Sequence, residues 1–370
     1  MKKLFLTSFL LLCICGVLQA QVGITAVPFL QIEPDARASG MGNTGVAIAD
    51  NAAAVFWNPA GLAFQQKNQV NLTHSQWLPQ FNIDLFYDYL AGSYHIKDIG
   101  SFGAHITYLN LGSQLRTSSQ NPTGEDLGHF NSYELAIGLS YGYKIDERWS
   151  VGSGVRYIHS SLANGEVEGL SIEPGSTFSF DLAGMFQSPS FRLFANRPAS
   201  INAGVNISNI GPGITYTHNP GADSSNNDPL PTVFRIGWKL TSELDRQGLH
   251  TLTLAHDLSK ILARPNTGAV SALFTSWGEL TRELGEQSLH LNSLQQLMLA
   301  TGLEYWFDNI FAVRSGYYYE DPHNGGRQFM TFGAGIRYKF IGFDFSYIYT
   351  LGNENHPLAN TTRFGLIANF

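Results

Sequence analysis

The chain has 370 residues, of which only 14% are charged while 13% are aromatic and 38 are glycine. So little charge at this length argues against a pair of ordinary soluble domains, and a formal net charge of −7 argues against a nucleic-acid partner. The two cysteines, Cys13 and Cys15, lie in the apolar run Leu4 to Val17, so the remaining chain can form neither a disulfide nor a thiolate metal site.

Lys2 and Lys3 precede that run and Leu18-Gln19-Ala20 follows it. This is the pattern of a secretory signal peptide over residues 1–20, cleaved after Ala20, and the run is too short to span a bilayer as a helix. The large Leu12 and Ile14 before the two cysteines argue against lipid attachment. Residues 21–67 then read as an irregular segment. Pro34, Asp35 and Arg37 form a polar patch, Gly40, Met41, Gly42 and Gly45 follow, and Asp50 and Asn51 precede the small apolar run Ala52 to Phe56. Trp57, Asn58, Pro59, Ala60 and Gly61 close it. Glycine admits φ > 0 and Asn-Pro starts turns, so short helical pieces joined by sharp bends are expected. They form either an ordinary lead-in or a plug inside whatever the later strands enclose.

From residue 68 to 370 apolar and small or polar residues alternate. Tyr133, Leu135, Ile137, Leu139, Tyr141 and Tyr143 share one face, and Glu134, Ala136, Gly138, Ser140 and Gly142 share the other. Fourteen such segments lie near 68–78, 83–97, 100–112, 131–145, 149–163, 176–188, 200–209, 231–243, 248–258, 296–308, 310–320, 327–340, 342–352 and 361–370. Aromatic residues gather at strand ends, where the girdles of a membrane barrel belong, and no run after residue 20 suits a membrane helix. Connections alternate between short (Ile145 to Arg148, Phe307 to Asn309) and long (Ser113 to Asn131, Ser259 to Gln295). Short periplasmic turns and long outer loops predict an all-β transmembrane antiparallel barrel of about 14 strands in the bacterial outer membrane, with both ends on the periplasmic side. Phe370 ends the last strand with Phe364, Leu366 and Ala368 on its face, the kind of terminal signal that outer-membrane assembly reads.

The longest connection holds Leu273, Phe274, Trp277, Leu280 and Leu284 at helical spacing, which predicts an amphipathic helix over Val270 to Leu284. It is either a lid on the barrel mouth or a surface for a protein partner, with Leu273, Phe274, Trp277 and Leu280 as candidate docking residues. The acids of Asp223 to Asp228 match no calcium-loop spacing. His74-Ser75, His159-Ser160 and His256-Asp257 are neighbours on strands and point to opposite faces, so none is a nucleophile-base pair. No catalytic residue, metal site or cofactor is expected. Inward charges at Glu134, Arg156, Asp181, Arg235, Arg337, Lys339 and Asp344 pair with one another or face water.

Two sets of residues carry a resemblance. The run Asp50 to Ala63, D-N-A-A-A-V-F-W-N-P-A-G-L-A, resembles the start of the FadL-like outer-membrane transporters, with Gly61 after Trp57-Asn58-Pro59-Ala60 as in that wider superfamily. Thr25 to Leu30 (T-A-V-P-F-L), Pro34 to Ala38 (P-D-A-R-A) and Gly40 to Ala47 (G-M-G-N-T-G-V-A) are similar to the PorV branch, with PorQ its close relative. The resemblance implies fourteen strands. It also implies a non-catalytic component of the type IX secretion system that binds the C-terminal signal domains of cargo, closes the side gate of a large translocon barrel and hands cargo to a surface attachment complex. The alternative is a FadL-like transporter of hydrophobic small molecules, with residues 21–67 as its hatch.

Overall fold

The computed structural model describes residues 25–81, 83–116, 128–163, 165–167, 170–193, 196–218, 227–284, 287–351 and 356–370. The expected signal peptide and most of the acidic run from Asp223 lie outside them.

Fourteen strands carry the period-2 pattern: β1 (Gln69–Gln76), β2 (Phe86–Ile96), β3 (Gly100–Leu115), β4 (His129–Lys144), β5 (Trp149–Ser161), β6 (Gly175–Gln187), β7 (Arg197–Ile210), β8 (Val233–Glu243), β9 (His250–Ile261), β10 (Leu297–Phe307), β11 (Phe311–Glu320), β12 (Gln328–Tyr338), β13 (Ile341–Thr350) and β14 (Thr362–Asn369). Each pairs antiparallel with its sequence neighbours, and β14 returns to β1 from Gln69↔Asn369 to Ser75↔Arg363, closing the barrel. Closure leaves no sheet edge, which is what a strand structure needs in hydrocarbon.

The two faces explain the alternation. Leu139, Phe178, Phe180, Leu182 and Leu366 point outward and exposed, whereas Glu134, Arg156, Asp181, Glu304, Arg314 and Asp344 point inward and are buried. That inverts a soluble protein and suits a wall facing lipid. Aromatic ladders line the rims. Phe86, Tyr108, Tyr133 and His159 follow one another across β2 to β5 with ring centroids 5.7–6.0 Å apart at the long-loop end. Trp149–Phe186 and Phe102–Tyr141 mark the other end. Turns at that other end are tight. Asp308 and Asn309 both take φ 52 between β10 and β11, a left-handed pair that Asp and Asn tolerate. Lys339 is a correction to the inward set: it sits exposed in the β12–β13 turn at φ 55, its ammonium over the Tyr338 ring.

The 262–296 excursion also departs from expectation. Helix covers only Ala269–Thr275, and Leu280–Leu284 instead pairs with Gln287–Leu291 as a hairpin. Leu280 and Leu284 fit period 2 as well as period 3.6, and Gly278 disfavours helix between the two halves.

Candidate functional site

Residues 25–65 occupy the lumen. This segment enters from the long-loop end, where Ala26 N–H donates to Pro229 O at 3.0 Å in the β7–β8 loop. Val27, Phe29 and Leu30 share one buried cluster with Tyr87 of β2 and with Ile214 and Leu230 of that loop. A short helical turn, Pro28–Gln31, precedes Pro34 and helix α1 (Ala36–Gly40). Asp35 caps α1 by accepting from Ala38 N–H at 2.9 Å, and its other oxygen accepts Trp57 Nε1–H at 2.6 Å. Burial pushes the Asp35 carboxyl up, and these two donors oppose that shift. One carboxylate thus starts a helix and joins the two halves of the segment. Helix α2 (Ala54–Trp57) ends at Asn58, whose Oδ1 accepts Ala60 N–H and starts the turn Pro59–Phe64, and the chain then enters β1 at the short-turn end.

Arg37 anchors the segment to the wall. Its guanidinium grips both Glu304 oxygens, at 2.8 and 2.7 Å, and reaches Asp50 at 2.5 Å. Glu304 also accepts from Arg314, Arg314 from its other side donates to Asp344, Arg337 donates to Asp344 at 2.6 Å, and Lys239 reaches Asp50 at 3.2 Å. The result is one chain of alternating charge from β8 through the segment to β13. Burial opposes the charge on Arg37, but Asp50 and Glu304 outweigh it and hold the guanidinium well above its ordinary range. Partial desolvation opposes the Asp50 carboxylate, whose side chain is 43% exposed, but Arg37 and Lys239 keep it below the usual range.

Elsewhere the segment's own backbone meets the wall. Asp257 Oδ2 accepts the successive N–H groups of Gly45 and Val46, at 2.7 and 3.0 Å, a small anion nest. Thr331 Oγ1 accepts Gly42 N–H at 2.8 Å, Asn206 donates to Trp57 O, and Asn58 Nδ2 donates to Val46 O and Gly184 O. These approaches need a wall without side chains. A Cβ on Gly316 would lie 2.0 Å from Gly42 N, and one on its cross-strand partner Gly302 would lie 2.3 Å from Met41 O. Gly42 itself has φ +69 and is crowded by Tyr317 and Thr301 backbone. The small inward residues therefore make room for the inner segment, which takes the plug's place of the two the sequence left open.

The segment's candidate residues thus converge: Pro34, Asp35, Gly40, Met41, Gly42, Gly45, Trp57, Asn58 and Pro59 are buried together, and Arg37 and Asp50 bridge to strands. The outer candidates divide. Trp277 packs edge-on against Phe234, 5.2 Å between centroids, above the ammonium of buried Lys260. Leu280 is buried and Leu273 half-buried, while Phe274 is 77% exposed. Glu304, Arg314, Asn206, Gly302 and Gly316 escaped sequence reasoning, and Asp257 entered it only as the neighbour of His256. Alternation marks each as inward but cannot name its partner, which for Glu304 and Arg37 lies 267 positions away.

Above the segment, at the long-loop end, lies a cavity of about 750 Å³. Phe29, Ile32, Trp77, Leu109, Phe329 and Ile348 supply an apolar lining, and Glu33, Glu134, Glu320, Arg327 and Arg363 supply charge. Beside Asn43, Trp57 and Asp257 lies a smaller void of about 30 Å³. Among the described residues no cluster of His, Cys, Asp and Glu could hold a metal, and no helix is long and apolar enough to cross a membrane.

A closed 14-strand wall with its N-terminal segment folded into the lumen defines a FadL-like outer-membrane barrel. Solved structures of similar fold include the Ralstonia pickettii toluene transporter TbuX (TM-score 0.50, 13% identity, 91% of this chain and 97% of that one), a Pseudomonas aeruginosa FadL homologue (0.47, 14%, 91% and 98%) and the Pseudomonas putida toluene transporter TodX (0.45, 12%, 91% and 97%). Of these, only the TbuX likeness, at a TM-score of 0.50, carries weight, and at 13% identity it speaks for fold alone. The family model described as "Type IX secretion system protein PorV" matches residues 17–267, more than half of the chain. The chain belongs to the PorV family. No curated protein matches it.

Proposed function

We propose that this barrel is a non-catalytic partner within the type IX apparatus, binding the C-terminal signal domains of secreted cargo, closing the side gate of a large translocon barrel and passing cargo to a surface attachment complex. The observation that carries this reading is the filled lumen of a PorV-family barrel. Backbone packed against Gly302 and Gly316 and the charge chain through Arg37 fill the lumen between β8 and β13. A charge on the lipid face costs roughly 2–4 kcal/mol at the midplane, so the outer wall is poorly equipped for specific recognition and contacts fall to the rim and outer loops. In this reading Phe274 is the exposed partner contact, with Leu273, Trp277 and Leu280 seating it, and the mature chain starts at Gln21 after signal cleavage. Deleting the gene in its host should strand cargo bearing C-terminal signal domains in the periplasm. Cargo that still reaches the surface at normal levels would refute the reading.

A second reading, transport of hydrophobic small molecules, is favoured by one observation, the apolar-lined outer cavity. It predicts a fall in uptake of a hydrophobic solute in the same deletion strain, with cargo secretion intact.

A further inference from the structure

The floor of the outer cavity holds an arginine that wall and inner segment leave incompletely used. Arg363 on β14 is 1% exposed. Its Nη1 donates to Ser39 Oγ at 2.6 Å, its Cζ sits 5.9 Å from the Trp77 ring, and its Nε–H meets no acceptor among the described residues. Nor does a carboxylate among them pair with it. Of the two nearby acids that act on it, Asp35 is committed to Ala38 N–H and Trp57, and Glu33 lines the cavity without a hydrogen bond to Arg363. A guanidinium is seldom buried without an anionic partner, because its lost hydration goes uncompensated. With Nη1 held by Ser39, the opposite Nε–Nη2 edge is the free one, and that edge presents two parallel N–H groups, the spacing a carboxylate matches. Around it Trp77, Leu109, Ile348 and Leu358 give the cavity apolar surface, Glu33 and Glu134 and the paired Glu320 and Arg327 share the lining, and its volume suits a ligand of a few hundred daltons.

We propose that the outer cavity binds a carboxylate carried on an apolar chain, with the Nε–Nη2 edge of Arg363 taking the carboxylate and the apolar lining taking the chain. The carboxylate has two sources, the free C-terminus of a polypeptide or a fatty acid. Only the first rests on the secretion reading.

The test uses the full chain in lipid nanodiscs and titration calorimetry. The probes are an N-acetylated hexapeptide of Leu and Val with a free C-terminus, the same peptide amidated, dodecanoate and dodecanol. At least one acid should bind about tenfold or more tightly than its neutral analogue, as a charge-assisted bidentate contact requires. Arg363→Gln should remove that preference. Leu109→Trp, which fills the cavity and leaves Arg363 in place, should abolish binding. Acid and neutral forms binding alike, no binding by any probe, or a preference that survives Arg363→Gln would overturn the site. If Arg363→Gln does not assemble, the acid-to-neutral comparison and Leu109→Trp decide. Preference for the peptide acid supports a cargo-terminus ligand. Preference for dodecanoate alone keeps the site and assigns it to a lipid acid, leaving the secretion reading to its own experiment.

Discussion

Arg37 bridges Asp50 of its own segment and Glu304 of β10. Glu304 is 1% exposed, so replacing Arg37 with Ala leaves a buried carboxylate held by Arg314 alone. Breaking a buried pair costs about 3–5 kcal/mol, and the surviving Arg314 places this case at the lower end. Arg37→Ala should lower the denaturation midpoint in detergent and expose the inner segment to protease, with the barrel wall intact. Asp50 adds a pH signature. Its carboxylate is held below the ordinary range, so the stability it confers is complete above an unfolded pKa of about 4 and is lost as pH falls through the lower folded value. Asp35 acts oppositely: its raised carboxyl penalises the ionised form, so its contribution is most favourable in acid. Comparing wild type with Asp50→Asn cancels Asp35 and every other shared group. The stability difference between them should be full at pH 7 and shrink below about pH 4. A difference that does not change with pH would remove Asp50 from the clamp.

Among elements, the inner segment depends on wall positions that have no side chain. Gly316→Val places atoms where Gly42 N now lies, 2.0 Å from the new Cβ, and both partners are backbone. The variant should assemble a heat-modifiable barrel whose residues 25–65 are cleaved readily, because strand pairing does not use the glycine's inward face. The outer hairpin and helix obey a different logic. Phe274 is exposed, and Trp277, though 44% exposed itself, packs edge-on against Phe234, so Phe274→Ala should leave stability within about 0.5 kcal/mol while weakening partner association, and Trp277→Ala should loosen the loop itself. Retention of every partner by Phe274→Ala would make α3 (Ala269–Thr275) a lid. The strands were legible from sequence because period 2 is a local signal repeated over 8 to 16 residues, as in β1 and β3. The helix over Val270 to Leu284 was misread because leucines at 280 and 284 serve either period, and the hairpin partner Leu291 that buries Leu280 lies outside the window. Within the site, the Asn58-Pro59 turn was visible locally, whereas Asp35 read only as part of a polar patch and its cap on α1 emerged with the fold. The Arg37–Glu304 and Asp257 contacts were not, because they exist only once fourteen strands have closed around the segment.

At the scale of the whole molecule, an inverted wall, a filled lumen and an outward cavity describe a barrel whose largest described free space lies at its long-loop end. Its identity as a PorV-family chain places it among type IX secretion components. That account stands or falls on company: affinity purification of the tagged chain from its native membrane in mild detergent. The account predicts that a very large outer-membrane barrel and secreted cargo with C-terminal signal domains co-elute, and that Phe274→Ala reduces their yield. A chain that elutes alone, from cells whose uptake of hydrophobic solute depends on it, would contradict the account and favour a transporter.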